Sequence, residues 1–133
     1  MIIPTQEQVI RLLIAVVLGA IVGLERERRH KPAGLRTHIL VCLGSTLATV
    51  VSVDYFAGDP ARVAAAIMTG MGFLGAGTII ASGSKGIHGL TTAASVWTIA
   101  AIGISVGIGY YILAAIATVL ALIVLCMGKI EKR

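Results

Sequence analysis

Five apolar runs, parted by short polar or glycine- and proline-bearing breaks, organise this sequence. They cover residues 9–24, 35–53, 63–81, 90–106 and 110–127. A helix needs roughly 20 apolar residues to cross a bilayer core, and each run comes near that length. The breaks have turn chemistry: Pro32 and Gly34, then Gly58, Asp59 and Pro60, then SGSKGIHG from Ser82 to Gly89, read as a flexible connection, then Gly107 to Gly109. The expected fold is an all-α integral membrane protein, one domain of 133 residues forming a compact bundle of about five transmembrane helices. Glu7 precedes the first run and GLERERRHK follows it, so the run reads as a retained span and not a cleaved signal. Arg11, near its start, can snorkel to the interface.

The third run is unusual. Gly70, Gly72, Gly75 and Gly77 fall in one uncharged stretch, although glycine inside a helix costs about 1 kcal/mol against alanine. In lipid the compensation is close helix approach, which small residues permit. At about 100° per residue, Ala66, Gly70, Gly77 and Ala81 share one side and Ala65, Gly72 and Gly75 the other. A helix smooth on two sides is expected between two neighbours, so this segment is placed at the centre of the bundle. The first run carries a ridge of its own, Ala15, Gly19 and Gly23, which suits either an internal neighbour or a second copy of the chain.

Polar residues inside the runs also follow the helical period. In the second, His38, Cys42, Ser45, Thr49 and Ser52 recur on one face; in the fourth, Thr91, Ser95, Thr98 and Ser105 do the same. Two readings stand: the stripes face inward as a polar path or as cross-helix hydrogen bonds, or each hydroxyl bonds back to its own i−4 carbonyl.

Composition agrees with the pattern: the chain is 57% hydrophobic and 13% charged, with mean hydropathy +0.97. The formal charge of +5 could point to nucleic acid. Its distribution points elsewhere, because with five spans nine of the eleven Lys and Arg fall on the side of the first loop, the third loop and the C-terminus. By the positive-inside rule that side is cytoplasmic, with the N-terminus outside, and no nucleic-acid partner is needed. Tyr55, Phe56, Tyr110 and Tyr111 then gather at the outer interface as an aromatic belt.

The candidate chemistry lies at the cationic end. Glu25 and Arg26 follow the first span, Arg36, Thr37 and His38 open the second, and Thr91 and Thr92 open the fourth. A polar residue drawn into a bundle edge usually has a partner, and a Glu25–Arg36 ion pair across the short loop is expected; the alternative is a set of solvated charges that only fix topology. Magnesium takes oxygen ligands, usually one or two carboxylates with retained water, and Glu25 is the candidate for a weak site, better in a homodimer with two copies of it. Zinc spacing is absent, and Cys42 and Cys126 are expected as free thiols. GMGFLGAGT lacks the Lys-Ser/Thr ending of a phosphate loop, and no nucleophile sits with a base, so an enzyme is not expected.

Three blocks in order, GLERERRHKPAGLRTHILVCLGS (23–45), GMGFLGAGTII (70–80) and GLTTAASVWTIAAIGISVGIG (89–109), resemble the membrane domain of the MgtC/SapB family of bacterial inner-membrane proteins. The matching motif residues are Glu25, Arg26, Gly34, Leu35, Arg36, Thr37, Gly70, Gly72, Gly75, Gly77, Gly89, Leu90, Thr92 and Trp97. The resemblance implies a small bundle linked to magnesium homeostasis and growth at low magnesium, some members acting on the F-type ATP synthase or other membrane proteins, with survival in macrophages in pathogens. Virulence members often carry Asn at Thr91 and Cys at Thr98, which weighs against a virulence-type role; many relatives add a soluble ACT-like C-terminal domain, not expected here. Two functions remain. One is a regulator working through helix contact with a partner, the other a small magnesium or cation conduit lined by the stripes.

Overall fold

The computed structural model describes residues 1–56, 58–81, 86–128 and 130. Five helices are present: α1 (Gln6–Arg28), α2 (Leu35–Tyr55), α3 (Pro60–Thr78), α4 (Leu90–Gly107) and α5 (Tyr111–Met127). α1, α2 and α4 are long and apolar enough to cross a membrane; α5 is apolar and 17 residues long.

Local chemistry sets the ends. Thr5 caps α1 in a capping box with Gln8, Oγ1 accepting from the Gln8 amide and the Gln8 Oε1 accepting from the Thr5 amide. α1 then continues past Leu24 to Arg28, carrying the cationic segment into the helix. Glu27 Oε2 accepts from the Leu35 amide at 2.9 Å and so caps α2 from α1. Pro60 opens α3 at the position where its missing N–H is harmless. The third helix was expected to reach Ala81 but stops at Thr78, because Ile80–Ala81 (β1) pair antiparallel with Ile87–His88 (β2). Residues 82–85 of the expected flexible connection lie outside the described residues. Gly89 ends that hairpin at φ 90°, and a Cβ there would run into the Thr78 carbonyl.

α4 touches all four other helices, and α2 lies against α1, α3 and α4. The core is Ala15, Leu18, Val22, Val41, Cys42, Val96, Ile99, Ala100, Ile102, Val106, Ala114 and Leu125, with Ala33 of the first loop. This overturns the placement of the third segment at the centre. α3 lies at the edge on α4 and α2; Gly75 is its one buried residue, in ordinary contact with the Ala93 Cβ at 3.5 Å. Cβ atoms added at Gly70, Gly72 or Gly77 would meet nothing within 4 Å. The physical reason is that lipid is as apolar as a helix, so an uncharged face does not report which of the two it meets. Trp97, expected among the packing residues, is 50% exposed on α4.

The close backbone contacts lie elsewhere. A Cβ at Gly19 would sit 2.8 Å from the His38 carbonyl oxygen and the Ile39 Cα, and one at Gly23 would sit 2.8 Å from the Leu35 Cα. Farther along the same face of α2, a Cβ at Gly103 would sit 2.6 Å from the Cys42 carbonyl oxygen, and one at Gly107 would sit 2.5 Å from the Thr49 Cβ. One face of α2 is therefore held by two glycine ridges, that of α1 toward its start and that of α4 farther along.

Candidate functional site

The last turn of α1 brings charge under the first turn of α4. Arg26 is 2% exposed, and its Nη2 donates to Thr92 Oγ1 at 3.1 Å. Its Nη1 lies 3.6 Å from Glu25 Oε2, while Arg29 Nε lies 2.5 Å from Glu25 Oε1, one helical turn away. Neither Glu25 contact is aligned as a hydrogen bond, and Arg26 Nε also has no acceptor among the described residues. The cluster is thus held by charge more than by directed bonds.

From Thr92 the polar chain continues into the core. Ser95 Oγ donates to the Thr92 carbonyl at 2.8 Å and lies 3.0 Å from His38 Nε2. His38 is fully buried, and its Nδ1 is 2.8 Å from the Gly34 carbonyl. A carbonyl only accepts, so Nδ1 carries the hydrogen; in the neutral ring Nε2 is an acceptor for the Ser95 hydroxyl. That hydroxyl has one proton and two acceptors, the Thr92 carbonyl and the His38 ring. Arg29, Glu25, Arg26, Thr92, Ser95, His38 and Gly34 form one connected network across α1, α2 and α4.

Of the expected cluster, Glu25, Arg26, His38 and Thr92 come together. Thr37 is half-buried, while Thr91 and Arg36 are exposed. The expected Glu25–Arg36 pair does not form, because Arg26 and Arg29 on the same helix already hold Glu25. This also bears on magnesium: each carboxylate oxygen faces a guanidinium, so a hydrated Mg2+ does not fit at Glu25 without displacing one. Among the described residues, no three His, Cys, Asp or Glu side chains converge.

The second-span stripe is buried along its whole length: Cys42, Ser45, Thr49 and Ser52 join His38 inside. Two of its hydroxyls serve protein carbonyls. Thr49 donates to Ser45 at 2.7 Å and Ser52 to Pro60 at 3.3 Å. In the fourth helix Thr98 donates to Ala94 and Ser105 to Ala101, the back-bonded arrangement, and both are half-buried. The inward register there is Thr92 and Ser95, with Thr91 turned out.

Several residues escaped the sequence reading. Thr46 donates across to the Gly103 carbonyl at 2.8 Å; it adjoins Ser45 and was passed over because it falls outside the i, i+4, i+7 series. Gly103 and Gly107 form a small-xxx-small pair that could have been read in the same way as the ridge of α1. At the opposite end Arg11 does not snorkel freely: its Nη1 donates to the Gly107 carbonyl at 2.6 Å and its Nη2 pairs with Glu7 at 2.9 Å, while the Tyr111 hydroxyl donates to Glu7 at 3.1 Å. Gln8 Nε2 donates to Asp54 Oδ2 beside them. Tyr55, Phe56 and Tyr110 are exposed at this same end.

A polar cluster at each end, joined by tight small-residue contacts between apolar helices, defines a small helical membrane protein. Residues 12–133 match the model of the MgtC family, and the chain belongs to that family. Over 130 residues it is 45% identical to YhiD of Escherichia coli K12, provisionally designated a magnesium transporter, covering 91% of this chain and 60% of that one. It is 42% identical over 114 residues to protein MgtC of Salmonella typhimurium, covering 86% and 49%. An uncharacterized protein of Haemophilus influenzae is 39% identical over 133 residues, covering 92% and 56%. The chain thus spans 49 to 60% of the length of these relatives. No solved structure matches it.

Proposed function

We propose that this chain is a multi-pass protein of the bacterial inner membrane, cationic end in the cytoplasm, that takes part in magnesium homeostasis by docking on a partner membrane protein. It acts through helix contact and not as an enzyme. One observation carries the reading: α3 presents Gly70 and Gly77 on one side and Gly72 on the other, with open space before each, on a helix already bearing the cost of glycine. Open positions of that kind suit a second helix brought close on either side. The interior supports it from the other side, since the hydroxyls of Thr46, Ser52, Thr49 and Thr118 donate to protein carbonyls and do not line a wet path. The F-type ATP synthase is the first partner to try, as the family resemblance implies.

The second reading, a magnesium or cation conduit, draws on the designation of the Escherichia coli relative. Magnesium sheds water reluctantly, and the glycines of α1 and α4 stand against α2 with no room for a methyl group. Complementation separates the two. A deletion strain should regain growth at low magnesium with the wild-type chain and fail with Gly72→Leu, while the purified protein in liposomes passes no magnesium. Magnesium flux that Glu25→Ala abolishes would overturn the docking reading.

A further inference from the structure

His38 has no exposed surface, and the fold gives its two ring nitrogens partners of different kinds. Nδ1 faces the Gly34 carbonyl at 2.8 Å, which can only accept. Nε2 faces the Ser95 hydroxyl at 3.0 Å, which can donate or accept. A buried histidine set between a carbonyl and an N–H is locked neutral, because a second ring proton would point at a donor. His38 is not locked. In the neutral ring Ser95 donates to Nε2, while the Thr92 carbonyl keeps its place in the α4 ladder. When a proton from solution binds Nε2, the new N–H donates to Ser95 Oγ and the hydroxyl turns to the Thr92 carbonyl, 2.8 Å away. Neither state leaves a ring nitrogen unpaired.

What opposes the second ring proton is charge. The charged groups whose fields reach the ring come from the end of α1: Arg26, with Glu25 against it. Arg29 joins them through Glu25, and Glu27 is taken up by the Leu35 amide. α4 offers hydroxyls and no charge, α3 carries Arg62 alone, in its first turn, and α5 carries no charge. On α2 Arg36 is exposed, and Cys42 is the next titratable side chain inward; His30, Lys31 and His88 are exposed. The balance at the ring therefore turns on Arg26. One hydrogen bond to Thr92 at 3.1 Å and a contact with Glu25 at 3.6 Å hold it, and its Nε has no acceptor among the described residues. That is a light tether for a buried guanidinium, which is held most firmly by a bidentate carboxylate.

We propose that His38 and Arg26 form a proton switch: the ring is neutral while the guanidinium sits on Thr92, and a proton taken up at Nε2 drives Arg26 off Thr92 toward Glu25 and Arg29. Two cations in one buried site disfavour each other, and the effect is reciprocal. The switch lies where α1, α2 and α4 meet, so its setting changes the α1–α4 contact at the cationic end. It does not depend on the docking role of α3.

The test is nitrogen NMR of the full chain in micelles, labelled at histidine and arginine and followed from about pH 8 to about pH 4. The His38 and Arg26 signals are assigned by their loss in His38→Gln and Arg26→Met. At the upper pH His38 should be the neutral Nδ1–H form, and acidification should convert it to the imidazolium while the helical circular dichroism holds. In the same chain the Arg26 Nε–H signal should move with the same midpoint. Arg26→Met should raise that midpoint by about one pH unit, and Ser95→Ala, which removes the acceptor of the new N–H, should lower it by about one. A wild-type ring that stays neutral across the range overturns the proposal. So does the Nε2–H form at the upper pH, an Arg26 signal that does not follow the ring, or a folded Arg26→Met chain with an unchanged midpoint.

Discussion

Two sets of glycines in this chain look alike in sequence and behave oppositely in the fold. Gly19, Gly23, Gly103 and Gly107 stand against α2 so closely that none has room for a methyl group. Gly70, Gly72 and Gly77 on α3 have open space. The first set makes the fold; the second has no partner among the described residues. The difference shows that glycine in a membrane helix marks a place where something can come close, and that only the neighbouring backbone decides whether that approach occurs within the chain. It also separates the two regions: α1, α2 and α4 carry the buried polar network, and α3 lies at the edge with open space before three of its glycines.

The comparison can be broken by substituting both sets and following unfolding in mixed micelles by helical circular dichroism. Gly103→Leu has the largest expected effect, since even a Cβ would overlap the Cys42 carbonyl: a loss of about 3 kcal/mol or failure to assemble. Arg26→Met comes next. It keeps the side chain's bulk but leaves Glu25 with Arg29 alone and removes the donor to Thr92, and should cost about 2 kcal/mol. Thr46→Val removes one cross-helix bond to the Gly103 carbonyl, worth about 0.6 kcal/mol in a membrane interior. Gly72→Leu has the smallest effect, within about 0.5 kcal/mol of wild type, although it should abolish complementation at low magnesium. A Gly72→Leu protein as unstable as Gly103→Leu would erase the distinction between the two sets.

Much of this was legible beforehand. The five apolar runs became the five helices, with α1 extended at both ends, and the His38 to Ser52 period picked out one face of α2, which is buried. The family was legible too, because three ordered blocks persist from Gly23 to Gly109. What could not be read was which apolar face meets protein and which meets lipid, since hydropathy treats both alike; hence the misplacement of α3 and of Trp97. Arg26 stood with Glu25 and Arg36 in the candidate cluster, with a solvated topogenic charge as the alternative reading. Its burial follows from α1 continuing a turn beyond Leu24, where its apolar run stops. Thr91 was preferred to Thr92 in the fourth stripe because the adjacent hydroxyls differ by only about 100° on the helix, and the start of α4 at Leu90 decides which of them turns inward.

The most direct test of the account is the lipid exposure of α3. Single cysteines at Gly72 and Gly77, in a chain with Cys42→Ala and Cys126→Ala, carry nitroxide labels in liposomes, and their accessibility to dissolved oxygen is compared with that of a label at Ala100, which is fully buried. The account predicts high oxygen accessibility at Gly72 and Gly77 and low accessibility at Ala100. Equally low values at all three positions would contradict it, returning α3 to the interior and removing the docking face.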